Sequence, residues 1–275
     1  MDTESFQRQL REQGEYHTPA DAQRGLHRLM GWSDVWYYLH ILRIVGEGSR
    51  YSRRGRYPRP VWSLSSYRAI QAAERCGGQV HILGANALAR TGGPAVIIAN
   101  HMSMAETFIL PCVVMAYGEV SFVVKESLLR YPLFGTLLRG CHPISVSRQD
   151  ARQDLKDVLG QGQAALAAGR SVVVFPQATR QSCFVPKNFN SLGVKLAARA
   201  GVPVVPLALK TDFQSNGRWI KEVGPLNRRL PLRFHFADPM DPRGAEKSAH
   251  AAVVAWIRDR LTAWGGEVRE ETAVA

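Results

Sequence analysis

From residue 79 onward, short apolar runs rich in β-branched residues alternate with stretches of helical periodicity. This alternation constrains the fold more than any other feature of the chain. The runs are QVHILG (79–84), AVIIA (95–99), VSFVV (120–124), SVVVF (171–175), VPVVPLAL (202–209) and LRFHF (232–236). Between them, residues 151–168 place Leu155, Val158, Leu159 and Leu166 at roughly helical spacing, with Gly169 as the stop. Residues 189–200 repeat the pattern with Phe189, Leu192, Leu196 and Ala200 before Gly201, and 247–264 read as a last helix. Apolar periodicity closed by a glycine marks a helix and its end. Strands alternating with helices predict an α/β domain, a mixed sheet flanked by helices, whose ligands gather at strand ends. His101 sits at one such end and residues 176–180 at another.

Residues 1–75 have a different character, helical and amphipathic around the interruption SRRGRYPRP. They predict an amphipathic helical N-terminal arm (1–75), followed by the α/β domain (76–245) and by that domain's C-terminal helix and tail (246–275). The chain carries a net charge of +12, and between residues 24 and 59 eight arginines outnumber two acids. Trp32, Trp36, Tyr37, Tyr38, Tyr51 and Tyr57 share that stretch. Such a balance asks for an anionic partner. A helix lying in a membrane interface, with its aromatic rings at headgroup level, fits this composition. Each basic residue near an anionic surface contributes about 1 kcal/mol. The same helix could instead pack its apolar face on its own domain. Nucleic acid is not expected, because no helix-turn-helix, zinc-finger or RNA-recognition pattern accompanies the arginines.

A spanning helix needs about 20 predominantly apolar residues. Residues 35–45 are too few, and 107–124 are broken by Pro111, Gly118 and Glu119, so no span is expected. The first residues lack the cationic and apolar regions of a signal peptide. The four cysteines show no CxxC spacing, and the histidines show no ligand spacing with acids or cysteines. A reducing compartment and no metal site are therefore expected.

In AVIIANHMSMAETFILP (95–111), a buried strand gives way to polar residues and then to a helix. Ser103 and Glu106 fit a capping box, as N-cap and N3, with no chemistry required. That leaves His101 unexplained. On a continuous helix, residues five apart point about 140° away from each other. With His101 in the loop before the cap, the carboxylate can reach the ring. A carboxylate on one imidazole nitrogen fixes the tautomer and supports the cation formed when the other nitrogen takes a proton. That arrangement is a general base for a hydroxyl.

NHMSMAE resembles the His-x4-Asp block of the glycerolipid acyltransferases, the lysophosphatidic acid acyltransferases and their relatives. Three further blocks occur in that family's order. GCHPISVSR (140–148) resembles the block in which an arginine ends a short strand. FPQATRQS (175–182) resembles Phe-Pro-Glu-Gly-Thr-Arg-Ser, and GVPVVPLALK (201–210) resembles the apolar strand around a proline. VKESLLRYPLFG (124–135) looks like the linker between the first two blocks.

The resemblance implies transfer of a fatty acyl group from acyl-CoA or acyl carrier protein to the free hydroxyl of a lysophospholipid. The acceptor it favours is 1-acyl-glycerol-3-phosphate, and the setting is the cytoplasmic face of the inner membrane, with no cofactor. By the same resemblance His101 is the base and Glu106 its orienting partner. Arg148, Thr179, Arg180 and Lys125 would hold the acceptor phosphate, and Gln177, Ala178 and Ser103 would contact the acceptor. Residues 201–210, with Val202, Pro203 and Pro206, would help form the acyl tunnel. Arginine's planar fork suits a phosphate on physical grounds as well.

Three positions depart from the family pattern. Glu106 stands for aspartate, one methylene longer. Gln177 stands for glutamate, removing a charge, and Ala178 for glycine. An eroded site in a non-catalytic lipid-binding protein is the alternative reading. A third is a hydrolase in which His101 activates water.

Overall fold

The computed structural model describes residues 1–22, 33–55, 57–147, 149–177, 179–218 and 220–269. The N-terminal third holds α1 (Thr3–Gln13), β1 (Tyr16–His17), α2 (Asp34–Arg53), α3 (Arg59–Arg75), β2 (Val80–Leu83) and β3 (Val96–Ala99). Next come α4 (Ala105–Val114), β4 (Glu119–Lys125), α5 (Phe134–Arg139), β5 (Ile144–Val146), α6 (Ala151–Ala167) and β6 (Arg170–Val174). The rest comprises β7 (Cys183–Phe184), α7 (Leu192–Ala200), β8 (Val204–Lys210), β9 (Leu232–Phe236), α8 (Glu246–Ala263) and β10 (Glu267–Val268).

Eight strands form one sheet in the order β1-β2-β9-β8-β3-β6-β4-β5. From β8 through β5 all neighbours are parallel. The direction reverses between β8 and β9, and again at the β1 edge, so the sheet is mixed. Every apolar run in the sequence becomes a strand of this sheet. The two-residue β7 and β10 pair separately.

The centre of the sheet is covered on both faces, as a parallel sheet requires. Ile97 and Ala99 of β3 enter one hydrophobic cluster, with α3 and α4; Val96 and Ile98 enter the other, with α6, α7 and α8. Gly169 and Gly201 end helices α6 and α7 at φ 80° and 69°, a left-handed conformation that costs glycine nothing.

The arm expected over residues 1–75 is built into the domain. Phe6 and Leu10 of α1 and Tyr16 of β1 share one core cluster with Ile70, Val80 and Leu110. The register of β1 on β2 pairs Tyr16 with Ile82. The amphipathic face thus meets its own domain. Helix α2 is double-sided: Tyr37, Ile41, Ile44 and Val45 are buried, while Val35, Leu39 and Leu42 are each more than half exposed. Arg24, Arg28, Trp32 and Arg56 lie outside the described residues. Among the described residues, no helix is long and apolar enough to cross a membrane.

Candidate active site

Strand β3 ends at Ala99, and the next residue ties its end to β8. Asn100 donates from Nδ2 to the Leu209 carbonyl at 2.7 Å and accepts the Leu209 N–H at 2.8 Å. The chain then turns through residues 101–104 into α4, which places Glu106, fully buried, on the first turn. Its two oxygens divide the work. Oε2 meets Nδ1 of His101 at 2.6 Å. Oε1 accepts the N–H groups of Met102 and Ser103, at 2.8 and 2.9 Å, and the Thr211 hydroxyl at 2.5 Å.

Cap and dyad are therefore the same object. Ser103 Oγ accepts the Ala105 N–H at 3.2 Å and Glu106 returns to the Ser103 N–H, a variant of the expected capping box shifted by one residue, with Met104 as the N-cap. The extra methylene of glutamate is absorbed by the turn. A carboxylate only accepts, so the hydrogen-bond pattern assigns the Nδ1 proton to the shared bond and leaves the Nε2 lone pair for the cavity.

The 175–181 segment cradles the histidine from the β6 end. The His101 ring stacks on Phe175, with centroids 4.4 Å apart and planes 20° from parallel. The His101 N–H donates to Gln177 Oε1 at 2.8 Å, and its carbonyl accepts the Gln181 N–H at 2.9 Å. Gln177 Nε2 donates in turn to Gln181 Oε1 at 3.1 Å. Both ends of the Gln177 amide thus serve the loop.

His101 lines a cavity of about 640 Å³ that also reaches Lys125, Gln177, Arg180 and Glu222. Its walls also carry large apolar side chains: Ile44, Trp62, Phe108, Phe122 and Leu137 come from α2, α3, α4, β4 and α5. Cys141 joins that wall, and burial pushes its thiol pKa up, so it stays neutral.

The structure sorts the expected site residues. His101, Glu106, Gln177, Arg180 and Lys125 converge on the cavity or on the dyad. Thr179 instead accepts from Lys221 Nζ at 3.1 Å and is absent from the cavity wall. Ser103 is buried away from the wall, its hydroxyl spent on Ala105 and on Thr211 at 3.0 Å, so it is a capping residue rather than an acceptor contact. None of Val202, Pro203 and Pro206 lines the cavity. Pro206 sits in the buried centre of β8 opposite Ile98, and the apolar wall comes from α2, α3, α4, β4 and α5 instead. Arg148 and Ala178 lie outside the described residues.

Two residues at the site had not been singled out. Thr211 is the first residue past the buried β8, beside the end of β3, and that adjacency was its only signal. Glu222, 42 residues beyond Arg180, meets it at 2.7 Å with no sequence pattern to announce the contact.

Fold and site define an α/β protein with a histidine–carboxylate dyad at the ends of parallel strands. The acyltransferase family model matches residues 79–210. Residues 79–210, just under half of the chain, are thus similar to an acyltransferase domain. It is similar to a 1-acyl-sn-glycerol-3-phosphate acyltransferase of Pseudomonas aeruginosa, 31% identical over 179 residues that make up 65% of each chain. It is also similar to one from Chlamydomonas reinhardtii, 31% identical over 48% of this chain and 38% of that one. The aligned part is thus less than two thirds of either relative. The crystal structure of the 1-acyl-sn-glycerophosphate (LPA) acyltransferase PlsC from Thermotoga maritima aligns with a TM-score of 0.54 at 16% identity. That alignment covers 87% of this chain and 97% of the other, a likeness of fold.

Proposed function

We propose that the protein transfers a fatty acyl group from an acyl thioester to the free hydroxyl of 1-acyl-glycerol-3-phosphate, giving phosphatidic acid. The observation that carries this reading is the His101–Glu106 bond of 2.6 Å beside a cavity lined by both Arg180 and large apolar side chains. His101 Nε2 takes the proton of the acceptor hydroxyl as its oxygen attacks the thioester carbonyl. The tetrahedral intermediate then collapses, the C–S bond breaks, and the thiolate leaves with the proton that His101 had taken. Throughout, Glu106 holds the Nδ1 proton and stabilises the imidazolium. Arg180 is the phosphate ligand, and the apolar wall receives an acyl chain. The names of the relatives support the acceptor, and acyl-CoA and acyl carrier protein are both suitable donors.

The reaction belongs at a membrane surface. Val35, Leu39 and Leu42 form one exposed stripe on α2, and Arg43, Arg50, Arg53 and Arg54 are exposed on the same helix or at its end. An apolar stripe beside cations suits an anionic bilayer. The four cysteines are free, in keeping with the cytoplasmic face.

The test is thiol release from acyl-CoA in the presence of lysophosphatidic acid or other lysolipids. Acceptor-dependent release in the wild type should fall roughly 10²- to 10⁴-fold in His101→Ala, the usual worth of a general base. Fatty acid release without acceptor consumption would replace transfer with hydrolysis. No release with either donor type would leave a lipid-binding protein.

A further inference from the structure

Arg180 does not stand open. Its Nη2 donates to Glu222 Oε1 at 2.7 Å, with the arginine side chain 14% exposed and the glutamate side chain 47% exposed. Both residues line the cavity that holds His101. Glu222 belongs to the segment 213–226, all of which is described except residue 219. Gln214 and Leu226 form an antiparallel bridge at its base, and the Ser215 N–H reaches the Pro225 carbonyl at 3.1 Å. The turn is tight: a Cβ on Gly217 or Gly224 would strike the carbonyl oxygens of Ile220, Val223 or Ser215.

This flap is tied to the site at several points. Asn216 Nδ2 donates to the Met102 carbonyl at 3.4 Å, beside the catalytic loop, and Lys221 Nζ donates to Thr179 at 3.1 Å. The Tyr38 hydroxyl bridges the N–H and the carbonyl of Gly224. Gln214 Nε2 donates to the Glu222 carbonyl at 3.1 Å, so the backbone that carries the carboxylate is anchored.

A largely buried guanidinium left without an anion is costly, because its partner's removal leaves an uncompensated charge. Phosphate can satisfy Arg180 only while an acceptor is bound. A carboxylate offers the same fork-accepting oxygens with less charge than a phosphomonoester. Being half exposed, Glu222 loses little by swinging back into water. Resting on the reading of Arg180 as the phosphate ligand, we infer that Glu222 is a placeholder for the acceptor's phosphate. It neutralises Arg180 in the empty site and is displaced when a phosphorylated acceptor arrives. The displacement is a side-chain rotation on a fixed backbone. An acceptor without phosphate leaves the ion pair intact.

The placeholder therefore weakens phosphate binding selectively, and its removal should strengthen it. In Glu222→Gln, the KM for lysophosphatidic acid and the inhibition constant of glycerol 3-phosphate should fall together by about two- to fivefold, the range of a partly exposed ion pair. Monoacylglycerol of the same chain length, used as a competitor, should keep its inhibition constant. Glu222→Asp, which draws the charge back by one methylene, should give part of the same fall. In an Arg180→Gln background the effect of Glu222→Gln should vanish.

An unchanged or raised KM in Glu222→Gln would overturn the inference and leave Glu222 as a support for Arg180. If the wild type transfers no acyl group to any acceptor, the acyltransferase reading falls instead. Calorimetry with glycerol 3-phosphate then decides the placeholder alone: tighter binding in Glu222→Gln upholds it, and equal binding removes it.

Discussion

Two glutamates are buried among the described residues, one beside the β1 edge of the sheet and one beside its central strands β3 and β8. Glu74, on α3, accepts through Oε1 from the Tyr16 hydroxyl at 2.6 Å and the Thr18 hydroxyl at 2.9 Å. Both donors are side chains, and together they fasten the N-terminal segment to the core. Burial holds the Glu74 pKa above the ordinary carboxylate range, a rise that the two hydroxyls only partly offset. Glu106 accepts four bonds, two of them from backbone N–H groups one and two residues past His101. A backbone donor cannot rotate away. The first glutamate is a fastening that tolerates adjustment, whereas the second has its position dictated by the turn that also carries His101.

The sharpest way to break this comparison is Glu106→Gln. If the amide oxygen keeps the three donors on Oε1, its NH₂ faces His101 Nδ1 and forces the wrong tautomer. The kcat should fall by roughly 10²- to 10⁴-fold with little change in acceptor KM. A variant that keeps its kcat would make Glu106 a cap and nothing more. Thr211→Val tests the side-chain donor on the same oxygen. Losing one hydrogen bond to a charged group should lower kcat about tenfold, and Thr211→Ser should restore it. A purely structural role would instead lower the melting temperature at constant kcat in the wild-type pH profile.

Glu74→Gln should have the smallest effect on turnover, none. Its signature is in stability. Because the folded-state pKa is raised from 4.5, the proton on Glu74 favours the folded state below that pH. The contribution is lost as pH rises through the folded value. Denaturation midpoints of the wild type should therefore decline from acid toward neutral pH more steeply than those of Glu74→Gln. Equal slopes would show that Glu74 has no such role.

Much of this was readable in advance because periodicity and punctuation are local. The run 95–99, the glycine stops at 169 and 201, and the spacing from Ser103 to Glu106 each depend on a few neighbouring residues. What escaped was set by contacts across the chain. The pairing of Tyr16 with Ile82 and of Cys183 with Glu267 involves two-residue strands, too short to alternate. Whether an amphipathic helix meets its own domain or a bilayer depends on what lies opposite, which periodicity does not encode. The tunnel role of residues 201–210 rested on the resemblance alone, and a strand buried on both faces is equally apolar when it is core. Glu222 and Thr211 were invisible for the same reason, since their partners lie 42 and 105 residues away.

The division of labour between the two oxygens of Glu106 has a consequence for how the site fails. The oxygen that starts α4 and the oxygen that aims His101 are two atoms of one rigid group. A molecule whose α4 frays at its start loses the aim of His101 at the same moment. Partly unfolded copies should then lack the aimed His101 altogether rather than carry a misdirected one. Proofreading of the fold is in this way built into the first turn of a single helix.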